Sequence, residues 1–145
     1  MKVRLGTSLL LLVITLMAVS FGHPQKAAAI YDAGRLMDDS VFLNAASMSA
    51  DDIQTFLASK GGGIASMNFL FDCPITGSTS AAAYQQAGAP CGKQASASVI
   101  IYYAAQVYGI NPQVILATIQ KEQSLVTAPS PTSWQINQAM GYGCP

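Results

Sequence analysis

Residues 111–126 read Asn-Pro-Gln-Val-Ile-Leu-Ala-Thr-Ile-Gln-Lys-Glu-Gln-Ser-Leu-Val and carry the strongest helix signal in the chain. Asn111 can cap a helix, and Pro112 suits the first turn, where no backbone N–H is needed. The residues that follow contain no Gly or Pro and are mostly apolar. The pattern therefore predicts a helix of about four turns.

The helix carries the only glutamate of the chain, Glu122. At about 100° per residue, Glu122 shares one stripe with Ile115, Ile119 and Val126. Lys121 diverges from it around the helix and is predicted to be a poor partner. Glu122 is therefore expected to point with the core residues.

The first residues have the order of a secretory signal. Lys2 and Arg4 are followed by an apolar run from Leu9 to Phe21, and a small-residue stretch ends at Ala29. This order predicts a signal peptide at 1–29, cleaved after Ala29, and a secreted or cell-surface protein. An uncleaved anchor is the alternative, but the run is shorter than the roughly 20 residues of a spanning helix.

The composition of the remaining chain, 30–145, excludes several classes of function. It has more acidic than basic residues, so no nucleic-acid partner is expected, and the membrane is expected to be a partner only during export. The only histidine, His23, lies in the signal. Histidine-dependent nucleophilic sites and His-ligated zinc are thus excluded from the mature chain.

Three cysteines are present, Cys73, Cys91 and Cys144. Because an exported protein meets an oxidising compartment, a disulfide is the default expectation. Cys73–Cys91 is the favoured pair, stabilising by about 3 kcal/mol in the loop-entropy model. A three-cysteine metal site is a weak alternative without a fourth ligand, so no metal and no cofactor are expected.

The segment at 30–94 is interpreted as an accessory region. An irregular entry holds Val41-Phe42-Leu43 as an apolar anchor, and one helix is predicted at about 50–60. Ser49 and Asp52 form its capping box, and Gly61-Gly62-Gly63 terminates it. An acidic functional face at Asp51 and Asp52 is a minor alternative. A short strand or turn is predicted at 67–71, and a surface loop at 78–89.

A second helix is predicted from Ser96 or Ser98 to Tyr108, ending at Gly109 in the left-handed conformation. It is apolar on nearly every side, which is typical of a buried helix. Tyr102, Tyr103 and Tyr108 are interpreted as core residues whose hydroxyls reach the rim, with a ligand box as the alternative. A further helical turn is predicted at 136–140.

Glu122 has two interpretations on pattern alone. It is either a buried carboxylate satisfied by backbone donors or a lysine, or a functional group. A lone buried carboxylate costs several kcal/mol unless it is paired or neutral. A carboxyl group held against apolar walls keeps its proton near neutral pH and can act as a general acid.

The helix at 111–122, with its proline start and its terminal glutamate, resembles the catalytic helix of the lysozyme-like superfamily, in the lytic transglycosylase branch. Ala139-Met140-Gly141-Tyr142-Gly143 is similar to the glycine motif that lines the sugar groove in that branch. The likeness is strongest to exported actinobacterial cell-surface proteins. It covers 96–145 well and 38–60 more vaguely. The fold class predicted is mainly α, lysozyme-like but incomplete, after the signal and the accessory segment.

The resemblance implies an enzyme that cleaves the glycan strands of peptidoglycan, with Glu122 as sole general acid and base. Lytic transglycosylases need no second carboxylate, because the muramyl 6-hydroxyl closes to a 1,6-anhydro product. A hydrolytic version would use water and a second acid. The substrate-binding residues implied are Gln123, Ser124, Trp134, Met140, Gly141 and Tyr142. Trp134 could stack on a sugar or cover the core as a lid.

Two departures from the family pattern are evident. Gln123 stands where the family has a serine, which here follows at Ser124. The family's domain also continues past the glycine motif, so 95–145 is expected to be its N-terminal half, in a fragment or a truncated gene. Both departures favour the rival hypothesis, a non-enzymatic exported wall-binding or adhesive (haemagglutinin-like) module. Oligomeric state is not predicted.

Overall fold

The computed structural model describes residues 34, 36–73 and 79–141, with no side-chain description at 79 and 80. The fold is mainly helical, as predicted. The signal at 1–29 and Cys144 lie outside the described residues. Its elements are α1 (Asp39–Phe42), α2 (Ala50–Lys60), β1 (Asn68–Leu70), α3 (Thr79–Gln86), β2 (Gln94–Ser96), α4 (Ala97–Tyr108), α5 (Pro112–Gln123) and α6 (Ser133–Asn137).

Two single turns of 3-10 helix, Ala45–Ser47 and Gly63–Ser66, complete the described helical structure. β1 and β2 pair antiparallel, with Phe69 opposite Ala95. The described residues from Met37 onward form one compact unit. Among the residues described, no helix has the length and apolar character needed to cross a membrane.

Helix α2 has the predicted bounds and the predicted caps. Ser49 Oγ accepts from the Asp52 N–H at 3.1 Å, and the Ser49 N–H donates to Asp52 Oδ2 at 2.9 Å. The side-chain hydrogen bond from Ser49, and after it the backbone one, lowers the pKa of Asp52. Gly61 ends the helix with a φ of 71°. Asp52 is thus a capping residue, as the preferred interpretation had it.

Helices α4 and α5 begin as predicted. Ser96 caps α4 by accepting from the Val99 N–H, and Gly109 ends it with a φ of 64°. Asn111 caps α5 by accepting from the Gln113 N–H at 2.9 Å. α5 is shorter than predicted, because Ser124 takes the left-handed conformation and stops the helix at Gln123. The expected continuation to Val126 is therefore wrong.

The main core lies between α2, α4 and α5. α2 contributes Ile53 and Leu57, both fully buried, and α5 contributes the predicted stripe residues Ile115 and Ile119. The turn after α5 adds Leu125 and Val126, which are buried although they lie outside the helix. The accessory segment therefore shares one core with the two later helices.

A smaller core cluster, Phe71, Tyr84 and Ala95, lies beside the sheet. Tyr84 belongs to α3, which forms where a surface loop was predicted. Its ring meets Phe71 edge to face, with 5.6 Å between ring centroids. The pKa of Tyr84 is raised to about 12, mainly because the side chain is buried and, to a smaller extent, because of its electrostatic interaction and hydrogen bond with Tyr108. This tertiary contact explains why a composition without helical periodicity still forms a helix.

The predicted disulfide Cys73–Cys91 is confirmed, with 5.3 Å between the Cα atoms. Both cysteines pack against the smaller cluster. Replacing both by Ser should cost about 3 kcal/mol, because the unfolded loop is no longer closed. Hydrogen exchange should show the loss chiefly in α3, with α4 and α5 still protected. Equal loss of protection in α3 and α5 would contradict this local role.

The entry segment is held by its backbone, not by the predicted apolar anchor. Val41 and Phe42 are 48% and 39% exposed, so the expectation of a packed anchor is wrong. Their carbonyl oxygens instead accept from Asn111 Nδ2 and from the Asn111 N–H, at 2.9 and 2.8 Å. Ser47 Oγ also donates to Asn111 Oδ1 at 2.6 Å. The buried cap of α5 is thus the attachment point of the entry segment.

Asn111→Ala should therefore destabilise the protein by about 3 kcal/mol, since it removes a helix cap and two further hydrogen bonds from a buried position. Asn111→Ser keeps an uncharged acceptor for the α5 cap and loses the donor to Val41, so a smaller loss is expected. Urea unfolding of the three proteins measures the difference. Equal losses in both variants would show that the cap contributes nothing.

Candidate functional site

An open groove of about 470 Å³ lies on the face shared by α4 and α5. We call it the apolar groove. The surface that its lining side chains present to the groove is almost entirely apolar. These side chains come from the accessory segment, from α4, α5 and the turns that follow these two helices, and from α6 and the chain after it: Ile64, Phe69, Ala97, Ile100, Ile101, Ala104, Tyr108, Ile110, Ile115, Ile119, Leu125, Ile136, Ala139 and Met140.

Glu122 lies at the edge of the apolar groove. Ile115 and Ile119 line the groove, and Glu122 continues their stripe into the last turn of α5. Its side chain is 34% exposed. The predicted direction of the stripe is thus correct, but the predicted burial of the carboxylate among core residues is wrong. The helix ends one residue later, at Gln123.

The carboxylate of Glu122 lies against Gly141. A methyl group placed on Gly141 would lie 3.1 Å from Oε2, 3.4 Å from Cδ and 3.5 Å from Cγ of Glu122. Gly141 also has a φ of 71°, a conformation that disfavours any larger residue. The two sequence motifs, the glutamate of the helix and the glycine near 141, therefore meet in space.

Lys121 does contact Glu122, contrary to the prediction. Its Nζ lies 3.3 Å from Glu122 Oε1. Both long side chains bend toward each other from adjacent helix positions, at the exposed end of α5. The Lys121 side chain is 83% exposed, so the pair contributes little to stability. The contact leaves Oε2 as the oxygen that faces Gly141.

The other predicted substrate-binding residues differ in position and in exposure. Met140 lines the groove and is 54% exposed. Gln123 is half-buried, and its carbonyl accepts from Gln135 Nε2 at 3.1 Å, which ties α6 to the end of α5. Ser124 is exposed and ends α5. Tyr142 lies outside the described residues.

Ser124 is the only described non-glycine residue with a positive φ, at 56°. Ser124→Gly should stabilise the protein by about 1 kcal/mol, because glycine adopts this conformation without a Cβ penalty. Ser124→Ala keeps the strain and loses the hydroxyl, so no gain is expected. Thermal unfolding compares the two. A gain with alanine equal to that with glycine would contradict the strain argument.

Trp134 lies on α6 and is 61% exposed. Of the two interpretations of Trp134, the lid over the core is therefore wrong, and most of the side chain is open to solvent. The three tyrosines of α4 differ in exposure. Tyr102 and Tyr103 are half-buried and meet edge to face at 5.3 Å, as core packing predicts, whereas Tyr108 is 55% exposed at the groove.

Sequence reasoning missed the part of the site that comes from the accessory segment. Ile64 and Phe69 line the groove from a region interpreted as separate. Gly62 and Gly63, interpreted only as helix terminators, press against the chain that follows α5. A Cβ on Gly62 would lie 2.1 Å from the Val126 carbonyl oxygen, and one on Gly63 2.5 Å from that of Pro129. The run of three glycines, Gly61-Gly62-Gly63, was the sequence feature that could have indicated this close approach.

Within the described ranges, no cluster of His, Cys, Asp and Glu side chains is arranged to hold a metal ion. No described carboxylate is among the residues that line the groove, and Glu122 lies beside them. The fold and the site thus define a small, disulfide-linked, mainly helical domain whose apolar groove has one glutamate at its edge.

The chain belongs to the family described as "LasA, N-terminal domain", whose model matches residues 35–143. The match covers the accessory segment, α4, α5 and the glycine motif together. Comparison with curated proteins and with solved structures gave no match.

Proposed function

We propose that this domain is exported and cleaves the glycan strands of peptidoglycan, with Glu122 as general acid and then general base. The observation that carries the proposal is the contact between the Glu122 carboxylate and Gly141 at the edge of the groove. It supports the resemblance to the lysozyme-like superfamily, in which a helix-terminal glutamate and a glycine motif border the cleaved bond. The Cys73–Cys91 disulfide supports export, because disulfides persist in oxidising compartments.

The chemistry requires one acid that can reach the substrate. A protonated Glu122 would donate its proton to the glycosidic oxygen as the bond to the muramyl anomeric carbon breaks. The muramyl 6-hydroxyl would then bond to that carbon, and the Glu122 carboxylate would take up the hydroxyl proton. No described aspartate lines the groove, so we propose this route and not hydrolysis, which uses a second acid.

The close approach of Gly141 also has a role in this proposal. With a side chain at 141, substrate atoms could not lie against Oε2 without displacing the carboxylate. The Lys121 contact at Oε1 would hold the other oxygen away from the reacting bond. The reacting oxygen is therefore proposed to be Oε2.

Dye-labelled sacculi test the proposal. The exported protein should release soluble dye in proportion to protein and time, and the insoluble pellet should shrink. Protein that sediments with sacculi and releases no dye would contradict cleavage.

The second candidate is a wall-binding or adhesive module without chemistry. One observation favours it: Trp134 is 61% exposed on α6 and offers an aromatic face to a sugar. This candidate predicts that Trp134→Ala loses sedimentation with sacculi and that Glu122→Gln retains it. Dye release by the unaltered protein would rule out a purely adhesive role.

A further inference from the structure

We propose that Gln135 is a positioning residue for glycan cleavage: its side-chain amide bonds α6 to the end of α5 and so holds Gly141 against the Glu122 carboxylate. The catalytic consequence rests on the proposed function. The placement of Glu122 rests on the hydrogen bonds alone. Gln135 is not proposed to touch the substrate, because it acts through the backbone to which it is bonded.

The amide of Gln135 is engaged at both of its ends. Its Oε1 accepts from the Thr132 N–H at 3.0 Å and from Thr132 Oγ1 at 3.1 Å, within the capping box of α6. Its Nε2 donates to the Gln123 carbonyl oxygen at 3.1 Å, and we call this bond the tether. Because the amide group is planar, fixing Oε1 in the capping box also fixes the direction of Nε2. One side chain therefore both caps α6 and bonds it to α5.

The accepting carbonyl belongs to the residue that directly follows Glu122. Gln123 is the last residue of α5, and the last carbonyls of a helix have no partner within the helix itself. The backbone N–H groups after α5 bond to the carbonyls of Ile119 and Gln120, whereas the Gln123 carbonyl is bonded from α6. The tether therefore holds the backbone of the turn that carries Glu122.

α6 is connected to Gly141 by a short run of backbone hydrogen bonds. The Gln138 N–H donates to the Trp134 carbonyl at 3.2 Å, and the Gly141 N–H donates to the Gln138 carbonyl at 2.9 Å. Gly141 in turn lies against Glu122, where an added Cβ would be 3.1 Å from Oε2. The contacts thus form a closed ring from Glu122 through the tether and α6 to Gly141. A shift of α6 is therefore transmitted to the carboxylate.

The tether adds direction to the contacts of α6. Ile136 and Ala139 pack against the main core, but hydrophobic contact has no preferred direction. A hydrogen bond has a preferred distance and angle, so the tether sets where α6 lies relative to the end of α5. Misplacing a reacting group by about 1 Å can lower a rate by about 100-fold. Loss of the tether is therefore expected to affect the cleavage rate more than the fold.

Three substitutions separate the tether from the cap of α6. Gln135→Glu keeps an acceptor for the Thr132 N–H and loses the donor to Gln123, and Gln135→Met loses both without adding a charge. Thr132→Ala removes the hydroxyl part of the capping box and keeps the tether. An effect of the tether should appear in both Gln135 variants and be absent from Thr132→Ala. Either Gln135 variant is sufficient if the other does not fold.

The NOE between the Gly141 α protons and the Glu122 γ protons measures the placement without any catalysis. The unaltered protein should give a strong NOE, because an added Cβ at Gly141 would lie 3.5 Å from Glu122 Cγ. In both Gln135 variants the NOE should fall to less than half its intensity, and in Thr132→Ala it should be unchanged. A full NOE in a folded Gln135 variant, or an equal loss in Thr132→Ala, would overturn the inference.

Steady-state kinetics on soluble, uncrosslinked glycan strands measure the catalytic consequence. In both Gln135 variants kcat should fall about tenfold and KM should stay within about twofold, because only the placement of the acid changes. Thr132→Ala should keep both values within about twofold of the unaltered protein. Cleavage with an unchanged kcat in the Gln135 variants would refute the positioning role and leave the proposed function standing. No cleavage by the unaltered protein, with the expected NOE pattern, would refute the proposed function and support the placement of Glu122 by Gln135.

Discussion

Glu122→Gln should reduce the release of soluble glycan from sacculi by at least about 100-fold. General acid–base catalysis by one side chain contributes roughly 10² to 10⁴ in rate, and here one residue is proposed to fill both roles. The amide has nearly the shape of the carboxyl group, so the contact with Gly141 is retained. The side chain is a third exposed, and fold stability should change little.

Asp51→Asn is the matched control for this change. It also removes one carboxylate charge, from the exposed first turn of α2, away from the groove. Its glycan release should stay within about twofold of the unaltered protein. Equal loss in both variants would mean that net charge, and not the Glu122 carboxyl group, governs the action on sacculi.

Gly62→Ala should destabilise the protein by about 3 kcal/mol and disturb the site together with the fold. The backbone of Gly62 has a φ of −74°, which alanine tolerates. The added Cβ, however, would lie 2.1 Å from the carbonyl oxygen and 2.7 Å from the carbonyl carbon of Val126. Backbone atoms cannot move aside as a flexible side chain does, so the chain after α5 must shift. Leu125, which lines the groove, would shift with it.

Gly61→Ala provides the comparison for Gly62→Ala. Gly61 has a φ of 71° but nothing within 4 Å of an added Cβ, so only the conformational cost of about 1 kcal/mol is expected. Urea unfolding should therefore rank Gly62→Ala well below Gly61→Ala in stability. The opposite ranking would mean that these glycines serve only the helix end, and that the close approach to Val126 is unimportant.

The starts of α2, α4 and α5 and the glycine ends of α2 and α4 were the most predictable parts of this fold. Ser49 with Asp52, Ser96, Asn111 with Pro112, and the glycines after α2 and α4 have the conformations that their chemistry predicts. A cap depends on side chains within three or four residues, so its energetics are present in the local sequence. The Cys73–Cys91 pairing was also predictable, because the cysteine spacing and the expected compartment limit the choices.

Features decided by distant residues were not predictable. The period of α5 predicted the direction of Glu122, but the exposure of its side chain depends on where Ser124 ends the helix. α3 forms because Tyr84 packs against Phe71, a residue outside the helix. The contribution of Ile64 and Phe69 to the groove depends on how the accessory segment packs, which no local pattern contains.

Glu122 is proposed to cleave glycan with the muramyl 6-hydroxyl as the closing group. Mass spectrometry of the soluble products from unlabelled sacculi distinguishes this route from hydrolysis. The proposal predicts muropeptides with a 1,6-anhydro end, lacking the mass of one water relative to hydrolysis products, and their absence with Glu122→Gln. Products with reducing ends, or the same anhydro products from the Glu122→Gln variant, would contradict it.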